Sequence, residues 1–238
     1  MPLDRRRNLR KGNDDLHGNA PDQSQTVLLL IDVINDLSFP DNQDLVLRSV
    51  ALAKSIAKLK KRCKKSGIPA IYVNDNRGRW RSDLSAVLRH CLDTRSPGRE
   101  MTRMLVPEAD DYIVFKPKHS PFYATPLQTI LDSIGARVAI VAGVTTNACV
   151  LIAAGDLHVR DFRLFAPADC VAALTEREHR RSLDVMKDSF GANTASSLRL
   201  NLARLRKQPQ AVLRGFASLH PANVYSSYSS DPSTQMND

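Results

Sequence analysis

Three side chains of this 238-residue sequence could between them break an acyl bond: the carboxylate of Asp32, the amine of Lys116 and the thiol of Cys149. A thiol becomes a strong nucleophile when it loses its proton, a carboxylate can take that proton, and an ammonium nearby favours the thiolate. Taken singly each has an ordinary explanation. A cysteine in an apolar helix is more often a small hydrophobe, an aspartate after a strand more often caps a turn, and a lysine is usually solvated. Their joint placement carries the argument, so the elements that deliver them come next.

Thr26-Val-Leu-Leu-Leu-Ile31 is continuously apolar, as a strand covered on both faces must be, and it ends at Asp32. Leu45, Leu52, Ile56, Leu59 and Cys63 recur at helical spacing, with Gly67 as the stop. Pro69–Val73 reads as a second strand and Tyr112–Phe115 as a third, which delivers Lys116. Thr125 and Pro126 read as the cap and first position of a helix over 125–133. Val138–Val144 is a fourth strand and runs into Thr145-Thr-Asn-Ala-Cys149, which opens a helix over about 147–159. A strand over 163–166 and helices over 176–189 and 196–205 complete the pattern. Alternating buried strands and helices predict an α/β fold, a Rossmann-like three-layer α/β/α sandwich around a mostly parallel sheet. Such sheets bind ligands at the carboxyl ends of their strands, where all three side chains fall. At a helix start, the unpaired amides and the dipole are expected to favour a thiolate at Cys149.

Three blocks in order resemble the isochorismatase-like cysteine hydrolases. They are Leu29-Leu-Ile-Asp-Val-Ile-Asn-Asp-Leu37, Phe115-Lys-Pro-Lys-His-Ser-Pro-Phe-Tyr-Ala-Thr-Pro-Leu127 and Ala142-Gly-Val-Thr-Thr-Asn-Ala-Cys-Val150, and the resemblance spans about residues 24–195. It implies Cys149 as nucleophile, Asp32 as general acid/base, and Lys116 as the residue that positions Asp32 and lowers the thiol pKa. It also implies a cis peptide at Val144–Thr145 and an oxyanion hole formed by the Thr145 and Cys149 amides. Asn76, Trp80, Phe122 and Thr146 are candidate substrate contacts. Arg77, Arg79, Arg81 and Lys118 could attract an anionic small-molecule substrate. His119, beside Lys116 in sequence, is a rival base whose direction the sequence does not fix. Nicotinamidases of this family carry a metal-binding Asp-x-His-x-x-His after the second strand. This chain has Asn74-Asp-Asn-Arg-Gly-Arg-Trp80 there, so no metal and no other cofactor is expected. The expected activity is C–N cleavage of an amide, ureide or carbamoyl compound. The alternatives are a vinyl ether hydrolase of isochorismate type and a catalytically silent binding scaffold. The family also suggests a homo-oligomer.

Composition sets the remaining bounds. Hydrophobic residues are 42% and charged residues 25%, as in a globular chain. No apolar run approaches the roughly 18 residues of a spanning helix, and the N-terminus lacks a secretory core, so no membrane partner and a cytoplasmic location are expected. Cys63, Cys91, Cys149 and Cys170 show no CxxC and read as reduced thiols. Net charge is +9, concentrated in residues 5–11 and 58–65. A basic tail and a solvated helix end explain it better than nucleic acid, since no binding motif accompanies the charge. Residues 1–23 and 216–238 read as disordered tails and 24–215 as one domain. No GxGxxG follows any strand, and no arginine closely follows Cys149 as a cysteine phosphatase would need.

Overall fold

The computed structural model describes residues 19–76 and 83–206. The chain divides into two units, Met1–Lys207 and Gln208–Asp238; the second lies outside the described residues, as do residues 1–18, so most of the expected tails go undescribed.

The strands are β1 (Thr26–Ile31), β2 (Ala70–Asp75), β3 (Tyr112–Lys116), β4 (Val138–Val144), β5 (Arg163–Phe165) and β6 (Val171–Ala172). They form a parallel sheet in the order β3-β2-β1-β4-β5, with β6 pairing the end of β4. All six residues of β1 are buried. Because side chains alternate across a strand, Leu28 and Leu30 enter one core and Val27, Leu29 and Ile31 the other, which is why the run is apolar without interruption.

The first core is covered by α1 (Gln43–Lys65), α2 (Leu84–Cys91), α3 (Arg99–Met104) and α7 (Leu202–Arg206), through residues such as Leu52, Ile56, Val87, Met101 and Leu205. The second is covered by α4 (Leu127–Ile134), α5 (Leu151–His158) and α6 (Glu176–Asp188), through Leu131, Leu157 and Met186 among others. Helices on both faces of a parallel sheet make the expected three-layer sandwich. None among the described residues is long and apolar enough to cross a membrane.

Chain order fixes where a site can lie. From β1 the chain steps outward to β2 and β3, then returns to the other side of β1 as β4. The switch point is the β1/β4 seam, and its carboxyl end is the crevice. There Gly143 has φ +130°, and a Cβ on it would sit 1.9 Å from the Ile31 carbonyl oxygen. Only glycine lets β4 close on β1 at that level.

Several boundaries differ from expectation. The stretch behind β2 contains two helices, α2 and α3; α2 is capped by Asp83, whose side chain accepts the Ala86 N–H at 2.7 Å. The helix expected over 196–205 is broken into a 3-10 turn, Ser197–Arg199, and the short α7. Its physical cause is Arg62, whose guanidinium takes the Ser197 and Leu200 carbonyls that a continuous helix would use. Helix α4 begins at Leu127, one residue after Pro126, while Thr125 accepts the Leu127 N–H from outside it. Residues 20–23, placed in the tail by composition, are tied to α4: the Ala20 N–H meets the Ser133 hydroxyl at 2.6 Å and the Gln23 amide meets the Ser133 carbonyl.

Candidate active site

Asp32 immediately follows β1, in the left-handed region at φ +51°. A non-glycine residue there is strained by about 1–3 kcal/mol, which such chains tolerate mostly where a side chain must be aimed. The Asp32 N–H donates to the Val73 carbonyl, and Oδ1 of its carboxylate accepts the Asp75 N–H at 2.6 Å. Lys116, the last residue of β3, reaches across β2, and its Nζ lies 2.9 Å from Asp32 Oδ2. The same ammonium donates to Cys149 Sγ at 3.5 Å and to the Lys118 carbonyl at 3.3 Å, and stands 3.7 Å from the Asp75 carboxylate. The Asp32 and Cys149 side chains also act on each other's proton affinity. The three side chains read from the sequence therefore meet, with Lys116 fully buried, Asp32 4% exposed and Cys149 9% exposed.

Cys149 arrives by way of a peptide that departs from regular geometry. Val144–Thr145 is cis, as the resemblance implied. Residues Thr146–Val150 then form one π-helical turn before α5, and the Thr145 carbonyl accepts from both Ala148 and Val150. π turns recur at functional sites.

The electrostatics overturn one expectation. The Cys149 thiol is not poised as a thiolate: burial, followed by the Asp32 charge, pushes it up to about 12, and the Lys116 ammonium opposes this without winning. Burial likewise lifts the Asp32 carboxyl above its ordinary 3.8, although Lys116 and the hydrogen bonds from Cys149 and Asp75 pull it down. Burial works against the Lys116 ammonium, but Asp32, Cys149 and Asp75 outweigh it and hold the amine above its usual 10.5. Burial thus favours the protonated thiol, beside a carboxylate that binds protons better than a free one.

The remaining expected contacts separate. Asn76 is buried at the end of β2, its N–H donating to the Lys116 carbonyl. The Phe122 ring packs under the Arg160 guanidinium at 4.1 Å and against the core cluster that contains Cys149. Thr146 is fully buried and its hydroxyl lies 3.0 Å from His179 Nδ1 of α6; it anchors the nucleophile turn rather than facing the solvent side. Trp80, with Arg77, Arg79 and Arg81, lies outside the described residues.

Two participants were undervalued in the sequence. Asp75 supplies the N–H that orients Asp32, a role visible once β2 is extended two residues past Val73. His119 Nδ1 stands 3.3 Å from Cys149 Sγ. Among the described residues no group of three His, Cys, Asp or Glu is arranged to hold a metal ion.

The chain also has relatives among known proteins. The isochorismatase domain family matches residues 26–197. The uncharacterised isochorismatase family protein YaaI of Bacillus subtilis is 31% identical over 166 residues, covering 70% of this chain and 91% of that one. Enterobactin synthase component B of Escherichia coli is 32% identical over 141 residues, covering 58% of this chain and about half (49%) of its own. Among solved structures, N-carbamoylsarcosine amidase from Thermoplasma acidophilum superposes with a TM-score of 0.57 at 24% identity, over 74% of this chain and 99% of its own. The nicotinamidase of Staphylococcus aureus gives 0.54 at 17% identity, over 73% and 98%. The last two likenesses establish the shared fold. With a domain match across most of the described sheet and the strand-end residues in place, the chain is a hydrolase of the isochorismatase family.

Proposed function

We propose that this chain is a metal-independent cysteine hydrolase that cleaves the C–N bond of a small amide, ureide or carbamoyl compound through a thioester on Cys149. The observation that carries the reading is the Lys116 ammonium, 2.9 Å from the Asp32 carboxylate and 3.5 Å from the Cys149 sulfur. In that arrangement Asp32 takes the thiol proton as the sulfur attacks the carbonyl carbon. Its raised proton affinity suits that task, and the ammonium holds it in line while stabilising negative charge on sulfur as it develops. Because burial and the Asp32 charge raise the thiol, this reading has its proton leave as the sulfur attacks. The amides of Thr145 and Cys149 are the donors this reading assigns to the carbonyl oxygen, an interaction worth about 3–4 kcal/mol where it has been removed. The likeness to an N-carbamoylsarcosine amidase supports the fold on which such chemistry is carried.

The test is a panel of small amides, ureides and carbamoyl compounds, with isochorismate included, assayed for ammonia or amine release with and without chelator. Release that survives chelation and is abolished in Cys149→Ala is expected. Turnover of isochorismate alone, retained in Cys149→Ala, would instead identify vinyl ether cleavage without a covalent intermediate. No turnover of any compound with tight binding of one of them would leave a ligand-binding scaffold.

A further inference from the structure

We propose that His119 is a second catalytic acid–base group of this site, acting from the solvent side of the sulfur: it protonates the departing nitrogen and then activates the water that hydrolyses the thioester. The inference rests on the thioester reading above. It starts from the division of labour that burial imposes. Asp32 is 4% exposed, its Oδ1 bound by the Asp75 N–H and its Oδ2 by Lys116. It can exchange a proton with the sulfur beside it but is cut off from bulk water. The leaving amine must depart toward solvent and the hydrolytic water must arrive from there. His119 is exposed, and its Nδ1 touches the same sulfur at 3.3 Å. The two proton-carrying groups thus reach Sγ from a buried side and an open one.

The loop is built to hold that ring. On one side of His119 the Lys118 carbonyl accepts from Lys116 Nζ. On the other, the Ser120 hydroxyl donates to Asp156 Oδ2 of α5 at 2.6 Å and accepts the N–H groups of Phe122 and Tyr123. Just past the end of α5, Arg160 covers the Phe122 ring and donates to the Asp156 carbonyl. The backbone of His119 is pinned on both sides by groups that themselves sit on β3 and α5, the elements carrying Lys116 and following Cys149. An imidazole so placed has the reach that proton transfer requires.

The cycle balances with these two groups alone. On acylation the sulfur forms a bond to the carbonyl carbon and the thiol proton passes to Asp32. As the tetrahedral adduct collapses, the C–N electron pair leaves on nitrogen, which takes a proton from the His119 imidazolium. The enzyme now holds a thioester, a protonated Asp32 and a neutral His119. Water then attacks the thioester carbon, giving one proton to His119, and the C–S pair returns to sulfur, which recovers its proton from Asp32. Both groups end as they began, and one water has been consumed.

The test uses aryl acetates as probes, because they acylate a thiol without needing the natural substrate. With 4-nitrophenyl acetate the wild-type enzyme should show a burst of nitrophenol and one transient acetyl group on Cys149 by peptide mass. In His119→Gln the acetyl group should still form but persist at least about a hundredfold longer, the range that loss of a general base produces. Hydroxylamine, itself a strong nucleophile, should clear it. Across acetates of less acidic phenols, acylation should slow more steeply in the variant than in the wild type, because the departing oxygen has lost its proton donor. His119→Asn should behave alike, and neither should lower the melting temperature, since the ring is exposed. Acetyl lifetimes within about twofold of wild type, or equal leaving-group slopes, would overturn the role of His119. A wild-type slope as steep as that of a free thiol would do so without any variant. No acetyl group on wild-type Cys149 would be a different failure, that of the thioester itself.

Discussion

At the scale of single residues, burial and neighbouring charge set how readily the Cys149 thiol gives up its proton. Asp32, Lys116 and Cys149 are legible because each ends a strand or opens a helix at the same sheet edge. What is not legible is how far they are buried, and burial decides the thiol. A cysteine at a helix start beside an ammonium suggests a thiolate. Inside this crevice, desolvation and the Asp32 charge outweigh both and push the thiol up to about 12. This gives a prediction with opposite signs in two assays. Asp32→Asn removes the proton acceptor, so turnover should fall by at least about a hundredfold. It also removes a negative charge that raises the thiol pKa, so alkylation of Cys149 by iodoacetamide at a fixed pH near 8 should become faster, not slower. Peptide mapping of the label against residual activity reads both. A variant slowed in both assays would mean that Asp32 chiefly shapes the site. In the wild type, alkylation should keep rising with pH from 7 to 10 without levelling, since the thiol stays mostly protonated through that range; a plateau below pH 8 would restore the thiolate.

At the scale of elements, the seam between β1 and β4 is where the fold and the site depend on each other. Gly143→Ala would place a methyl group 1.9 Å from the Ile31 carbonyl oxygen at a φ of +130°, one residue before the cis peptide and one residue from Asp32 on the facing strand. Overpacking and the backbone penalty together should cost about 3 kcal/mol or more, read as a lower urea midpoint, and activity should fall because the two strand ends are forced apart. Gly191→Ala is the control: its φ is also positive, at +64°, but no atom lies within 4 Å of the added carbon, so only the left-handed penalty of about 1–2 kcal/mol applies. Equal losses in the two variants would show that close approach at the seam is unimportant. The same contrast explains what the sequence yields. Strands β1 and β4 declare themselves because both faces are buried and every residue is apolar or small. The helices α2 and α3 do not: they are short, only eight and six residues, and hold to the core through Val87, Cys91 and Met101. The break before α7 is set by Arg62, over 130 residues away in the chain, which no local pattern can carry. His119 is illegible for a related reason, since the loop that carries it is held through Ser120 and Phe122 by Asp156 of α5 and Arg160 just beyond that helix.

At the scale of the whole molecule, the buried thiols make stability a function of alkaline pH. Burial pushes Cys63 and Cys170 up to about 12, as it does Cys149, and the Tyr72 phenol also to about 12. In the unfolded chain these thiols return to an ordinary value of 9.0. Between those values the folded state keeps protons that the unfolded state has lost, so unfolding releases protons and stability falls as pH rises. Each thiol can contribute a slope of up to about 1.4 kcal/mol per pH unit in that window. The ion pair of Lys60 with Asp111, at 2.5 Å, adds a loss of the same sign once the Lys60 amine, held above 10.5, begins to deprotonate. The surface pairs of Arg103 with Glu100 and Arg180 with Glu176 are solvent-exposed and should matter little. The expected result is a melting temperature nearly constant from pH 7 to 8.5 that drops steeply from about pH 9.5. Cys63→Ala should lose stability at pH 8, because it leaves a cavity under α1, yet show a shallower alkaline decline than the wild type. Parallel declines in the two proteins would mean that ionisation of Cys63 does not contribute to the alkaline limit.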